Sequence, residues 1–538
     1  MERKNPSVTV IGLGGVGGYV GALLADHYDH VTFVIRGDRA ERVSKQGLCL
    51  HSDHRGERIT RPERVVLSAE ELEPQDYVFV CVKNYSLEDV CRTLGHAVDD
   101  HTVVIPVMNG VDPGRRLEEY LNTYTGCSPV VLDSLIYIVS FLDEEGAIRQ
   151  QGDFATIYLG SARQEARYQQ EAKRAVELLQ GAEIDCHFAE DILAEIWKKY
   201  MLNCAYNVAT AAYDCPIGPL RADAERSAQY ETLVWEAFAV AKAQGVHVKR
   251  EDAEHIIWRF YHDHAEDASS SLQRDVMACR PNELETFSGY LVREAKRLGV
   301  DAPVSEMMYR KLKVVTRIRE SLMKLQDEKY QKFHARLIPN IAPQSVIGVR
   351  VPVLRQFAKE VRDWKDMSVF LDSIPHLYYD ENLLHVLLIC GIKDYDECMG
   401  RLCTFLPYMD NWALTDAVRP ACFKKNLPAL EKKCLEWIRS DREYTIRQGV
   451  VLLMTYFLDD AFRPEQMEQV AQIRSEDYYA RMAVAWYFAT ALARQRETAL
   501  PYLEQRRLDE WTHRKTIQKA RESFRVDESL KEHLRMLR

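Results

Sequence analysis

Lys199, Asn203 and Asn207 recur every four residues in Ile196-Trp-Lys-Lys-Tyr-Met-Leu-Asn-Cys-Ala-Tyr-Asn207. On a helix this spacing stacks all three on one face. A lysine and two amides on a largely apolar helix are costly in a core unless they line a cleft. A solvated surface stripe is the alternative. In a cleft the lysine has an obvious use. Hydride delivered to a ketone carbon builds negative charge on the oxygen, and a cation within hydrogen-bond reach stabilises it and supplies the proton. Desolvation lowers a lysine pKa towards neutrality, which suits that role. A carboxylate such as Glu283 can orient a substrate hydroxyl or hold the lysine.

A second constellation opens the chain. The apolar run Ser7-Val-Thr-Val-Ile11 leads into Gly12-Leu-Gly-Gly-Val-Gly17-Gly18, a helix-like stretch from Tyr19 to Asp26, and a second apolar run, Val31 to Ile35. This is a β-α-β unit with GxGxxG in its first turn, the context in which the motif reads as dinucleotide binding. Gly12 permits the tight turn, Gly14 lets the backbone approach a pyrophosphate, and Gly17 lets the helix pack close to the strand. Gly15 and Val16 belong to the same turn, where free N–H groups meet the pyrophosphate. Arg36 stands at the end of the second strand, where an NAD site places an acidic ribose ligand; its forked cation suits a 2′-phosphate and favours NADP(H). Asp38 is either a solvated turn residue or a competing ribose ligand.

Two further strands, Tyr77 to Val82 and Val103 to Met108, end at Lys83 and at Asn109-Gly110. Polar groups just past the carboxyl ends of parallel strands face the ligand crevice of an open α/β sheet. A solvated lysine and an ordinary turn are the bland alternatives.

The elements that position these residues divide the 538-residue chain into several domains. The expected architecture is an α/β Rossmann dinucleotide-binding domain over residues 1–184, an all-α domain over 185–312, a helical linker over 313–325, and an all-α solenoid of HEAT type over 326–538. Residues 326–538 hold 33 Lys and Arg against 31 Asp and Glu, a net of +2, while the preceding residues carry −12. The acidic part is an unlikely nucleic-acid partner, and the remainder is not repelled by one. No apolar run is long enough for a membrane-spanning helix. The 13 cysteines lack paired spacing, so they read as reduced thiols, with no metal site. The N-terminus has no signal-peptide pattern, so a cytoplasmic location is expected.

The first 312 residues resemble the ketopantoate reductase (2-dehydropantoate 2-reductase) family. The resemblance is carried by GLGGVGG at 12–18, Arg36, VKNY at 82–85, MNG at 108–110, WKKYMLNCAYN at 197–207, SSL at 270–272 and NELETFSG at 282–289. It implies NADPH as cofactor, reduction of a 2-oxo acid of the 2-dehydropantoate type, and Lys199 as general acid. Asn203, Ser271 and Glu283 would bind the substrate, with Asn207 on the same face, and Asn109 would lie between nicotinamide and substrate. Lys83 is assigned to the cofactor side. Ile217 departs from the family pattern, which often has a polar residue there, and leaves the identity of the 2-oxo acid open. A homodimer is compatible with this reading.

Residues 326–538 resemble the bacterial alkylpurine DNA glycosylases built from HEAT-like repeats. The matching pieces include GVRVPVLR at 348–355, NWALTD at 411–416, YTIR at 444–447 and YYARMAVAW at 478–486. The resemblance implies duplex DNA as partner, Asp416 stabilising the cationic sugar, Trp412 and Trp486 packing the lesion, and Arg447 gripping a phosphate. An oxocarbenium-like state is what a carboxylate stabilises. A non-catalytic DNA- or protein-binding solenoid, or a redox-sensing regulator, is the alternative, since tryptophans at helical spacing are usually core.

Overall fold

Six of the short strands before residue 132 share one sheet: β1 (Val8–Ile11), β2 (Val31–Val34), β3 (Arg64–Val66), β4 (Tyr77–Val80), β5 (Val103–Pro106) and β6 (Val130–Val131). β1, β2, β4 and β5 are buried along their whole length, as strands covered on both faces by helices must be. They form an all-parallel sheet of order β3-β2-β1-β4-β5-β6 in this computed structural model, which describes residues 5–538. The order reverses between β1 and β4, which places a ligand crevice outside their carboxyl ends.

A second sheet was not legible in the sequence. Asp133–Leu142 pairs antiparallel with the long strand Ile148–Gly160. That strand also pairs in parallel with Leu48–Ser52 and with Asp185–Phe188. The expected break at residue 184 therefore falls just before a strand of the α/β part, and the helical region begins at Ile192. The first helix of that region, Ile192–Tyr213, is 22 residues long and is capped by the Asp191 side chain accepting from Ala194 N. It packs against Ala224–Ala243 and Ser271–Met277. Beyond Glu283 a π-turn, Glu285–Gly289, runs into the helix Tyr290–Leu298.

By backbone proximity the chain divides into two compact units, residues 1–312 and 313–538. The segment 313–325, expected to be a linker, belongs to the core of the second unit. Val314, Ile318 and Leu322 recur every four residues and are buried there. Arg319, on the same stretch, bonds Glu381 with both groups at most 2 % exposed. In this unit Val351–Val361, Tyr379–Ile389, Trp412–Ala417, Glu443–Tyr456, Tyr478–Arg494 and Glu510–Glu522 stack each against the next, with other helices between them in sequence. Asp380, fully buried, accepts from the backbone N–H groups of Ile347, Gly348 and Val349 and so fixes the turn that starts Val351–Val361. Among the described residues no helix is long and apolar enough to cross a membrane.

Removing one partner of a buried ion pair strands the other charge in a medium that cannot solvate it, at a cost of about 3–5 kcal/mol. Arg319→Ala is therefore expected to lower the stability of the second unit by about that much, read as a shifted denaturant midpoint in the full chain.

Candidate active site

A cleft of about 720 Å3 opens outside the carboxyl ends of β1, β4 and β5, with Ile192–Tyr213 and the segment Ser269–Arg274 forming other walls. It is lined by Gly14, Gly15, Val16, Lys83, Asn109, Lys199, Asn203, Asn207, Ser271 and Glu283. Ten residues singled out in the sequence, drawn from positions far apart in the chain, thus share one cavity.

At the sheet end, Gly12 has φ +89°, and a Cβ there would lie 2.8 Å from Cys81 O. A Cβ on Gly17 would lie 2.2 Å from Gly12 O. Only glycine lets the turn and its helix close on β4 in this way. The helix Gly15–His27 starts at Gly14 without a side-chain cap and without an acidic residue in its first turn. Beyond Gly14 the space is open. An uncapped N-terminus facing open space fits a dinucleotide pyrophosphate.

Arg36 is exposed past the end of β2. Arg39, the second residue of the next helix and not singled out in the sequence, reaches back to donate from Nη1 to Leu13 O of the glycine turn. Its Nε and Nη2 are buried with no hydrogen-bond partner among the described residues. These orphaned donors beside the turn are a second guanidinium suited to an anion. The sequence offered a signal, the repeated arginine in Arg36-Gly-Asp-Arg39, which the strand-end rule passes over.

The reactive end is organised around Glu283, 4 % exposed. Its carboxylate accepts from Lys83 Nζ at 3.0 Å, Asn84 Nδ2 at 3.1 Å and Asn109 Nδ2 at 3.3 Å. Burial opposes its ionisation, but the Lys83 charge and these donors outweigh burial and hold the carboxyl below its ordinary pKa. Lys83, assigned to the cofactor side in the sequence, directs its ammonium at Glu283 and at Asp275, 3.7 Å away. Asn84 lies in the VKNY stretch but was not singled out. It is buried, and its amide also donates to Asn109 O at 2.7 Å.

Asn109 links the carboxylate to the lysine. Its Oδ1 accepts from Lys199 Nζ at 3.1 Å, and Ile136 O accepts from the same nitrogen at 2.7 Å. Both acceptors are neutral. Burial lowers the Lys199 pKa to about 8, with Glu283 acting against the shift. Further along the helix, Asn207 Nδ2 donates to Asn203 Oδ1 at 3.2 Å, and Asn207 Oδ1 accepts from Ser271 Oγ and Leu272 N, each at 3.2 Å. Ile217 is fully buried among Leu220, Tyr230 and their neighbours and does not line the cleft, so its apolar character is a packing matter.

In the second unit, Asp416 and Arg447 meet on adjacent helices. Arg447 Nη2 donates to both Asp416 oxygens at 2.9 Å, Nε donates to Thr415 Oγ1, and Nη1 donates to Tyr479 O at 3.0 Å. The guanidinium is 4 % exposed and its donors are committed, so it orients Asp416; the expected grip on a phosphate is not what this placement provides. Burial raises the Asp416 pKa and Arg447 acts against the shift, while the carboxylate keeps 17 % of its surface open. Trp412, on the same helix as Asp416, donates from Nε1 to Leu337 O at 2.9 Å, and Trp486 is half-buried.

Comparison with known proteins gives both units a class. Residues 8–164 and 191–316 match the two parts of the family described as ketopantoate reductase PanE/ApbA, and residues 318–524 match the DNA alkylation repair enzyme family. The chain belongs to the ketopantoate reductase family, as an oxidoreductase fused to a DNA alkylation repair family domain. It is 31 % identical over 310 residues to the uncharacterized oxidoreductase YkpB of Bacillus subtilis, covering 57 % of this chain and 97 % of that protein. It is 27 % identical over 243 residues to a 2-dehydropantoate 2-reductase of Salmonella typhimurium, covering 45 % and 75 %. Among solved structures, a 2-dehydropantoate 2-reductase from Methylococcus capsulatus superposes with a TM-score of 0.52 at 26 % identity, covering 59 % of this chain and 98 % of that one.

Since Glu283 is the charge that supports protonation of Lys199, Glu283→Gln is expected to move the Lys199 titration below its midpoint of about 8. The measurement is labelling of Lys199 by an amine-reactive reagent across pH, read by peptide mass spectrometry. An unchanged midpoint would show that the two groups are not electrostatically linked.

Proposed function

We propose that the first unit reduces a 2-oxo acid with NADPH, and that Lys199 is the proton donor. The observation that supports this most directly is the chain Lys199–Asn109–Glu283, which links a lysine with neutral acceptors to a buried carboxylate at the mouth of a dinucleotide-type sheet. When bound, a nicotinamide cofactor supplies the hydride. Lys199 then holds a proton at Nζ, close enough in pKa to solvent pH to release it to a forming alkoxide and recover it. Asn109 keeps the ammonium aimed, and Glu283 accepts from a substrate hydroxyl or from Asn109. The glycine turn and the uncapped helix hold the pyrophosphate, while Arg39, with Arg36 past the end of β2, favours a phosphorylated ribose. The 2-dehydropantoate 2-reductase names of the relatives support this substrate class, and an aqueous, cytoplasmic enzyme, whether monomer or dimer, is compatible with it.

The test is NADPH and NADH consumption against a panel of 2-oxo acids. NADPH is expected to give the higher kcat/KM, and kcat to fall as pH rises through about 8, where Lys199 loses its proton. Lys199→Ala is expected to lower kcat by about 10²–10⁴. A variant with unaltered kcat overturns the assignment.

For the second unit we infer excision of N3- or N7-alkylated purines from duplex DNA. The bidentate Arg447 contact supports this reading, because it opposes the upward pull of burial on the Asp416 pKa and orients the carboxylate while part of it stays open. Such lesions already carry a positive charge, so one carboxylate, with the indoles of Trp412 and Trp486, can assist departure of the base without a protein nucleophile, water adding to the sugar carbon as the base leaves. Release of 7-methylguanine or 3-methyladenine from methylated duplex by the full chain is expected to drop at least about tenfold in Asp416→Asn. DNA binding without release, in the unaltered protein, favours a scaffold.

A further inference from the structure

The charges that line the cleft do not balance for a small monoanion. Lys83, Lys199, Arg259 and Arg274 face it, against one carboxylate, Glu283. Glu283 is matched by Lys83. Lys199 has only neutral acceptors, so a carboxylate next to the reacting ketone supplies its counter-charge. Arg259 is paired with Asp263, with Nε donating at 2.8 Å. Arg274, exposed, donates from Nη1 to Ser269 O and Oγ and has no carboxylate partner among the described residues. The same end of the cleft presents His264, whose buried Nε2 has no hydrogen-bond partner among the described residues. Burial and the charge of Arg259 hold this imidazole neutral, at a pKa of about 4, so it can offer an N–H.

Distance separates this end from the chemistry. Asn207 lies eight residues beyond Lys199, about 12 Å along the helix at 1.5 Å per residue. Asn207 bonds Ser271, and Arg274 follows Ser271 by three residues on its short helix, on the same face. A carboxylate bonded directly to the reacting carbon does not bridge that span.

We propose that Arg274, with His264 and Arg259 beside it, forms a second anion site, and that the substrate is a 2-oxo acid bearing a further negative group at its remote end. This rests on the reading of the cleft as a 2-oxo acid site. A terminal carboxylate or a phosphate shares the chemistry; an arginine fork takes either through paired N–H donors.

The experiment compares isosteric pairs in the full chain with NADPH: 2-oxoadipate against 2-oxohexanoate, 2-oxoglutarate against 2-oxopentanoate, and 3-phosphohydroxypyruvate as the phosphate arm. The dianion of a pair is expected to exceed its monoanion in kcat/KM by about 10- to 100-fold, the size of a charge-assisted hydrogen bond. Arg274→Gln is expected to erase that ratio, and Arg274→Lys to restore part of it. Equal rates for the two members of each pair overturn the proposal, as does an Arg274→Gln variant that lowers both members equally. Calorimetric titration with adipate, which cannot be reduced, separates the two readings. If no 2-oxo acid is turned over but adipate binds the unaltered protein and not Arg274→Gln, the reductase reading fails and the anion site stands. Adipate binding that is absent or indifferent to Arg274 overturns the site.

Discussion

A buried carboxylate that must stay ionised sets the terms for the first unit. Glu283 is withdrawn from water, and its charge survives because Lys83 and Asn84, from the end of β4, and Asn109, from the end of β5, all donate to it. Those strand ends and the turn that carries Glu283 are some 200 residues apart in sequence, as the Lys83 contact shows. The carboxylate therefore ties the sheet to the helical region at the point where the cleft forms. The same contacts leave Lys199 with neutral partners, and this lets burial bring its pKa down. Had Lys199 rather than Lys83 taken the direct contact with Glu283, its proton would have been held too tightly to give away.

The second unit solves a related problem with different groups. Its interior carries Arg319 with Glu381, and Asp380 under a ring of backbone N–H groups, each polar group satisfied by its neighbours. Asp416 differs in that it is oriented from behind by Arg447 and still reaches the surface. A carboxylate treated this way is held in place without being fully satisfied, which distinguishes it from the purely structural acids nearby.

What the sequence disclosed follows from how local each signal is. The glycine turn, the strand ends at Lys83 and Asn109, and the four-residue spacing of Lys199, Asn203 and Asn207 are set by short-range geometry, and all of them face one cleft. The second sheet escaped notice because Ile148–Gly160 takes its partners from 50, 135 and 185, and its exposed middle breaks the alternation that marks a strand. Arg39 was hidden because its role depends on a side chain folding back across the turn, and Arg447 because its spacing is compatible with either a phosphate or a carboxylate. Ile217 drew attention through its departure from a pattern, whereas its burial makes it core.

The ion pair at Arg319 and the apolar stripe Val314, Ile318, Leu322 carry a consequence for the modularity of the fusion. The helical unit owns residues upstream of its first obvious repeat, so its inheritance as a transferable module requires about a dozen residues that look like spacer. A gene segment beginning at codon 326 would deliver the stacked helices with Glu381 bereft of its arginine and the adjoining core unroofed. A segment that carries this unit intact must begin near residue 313 or earlier.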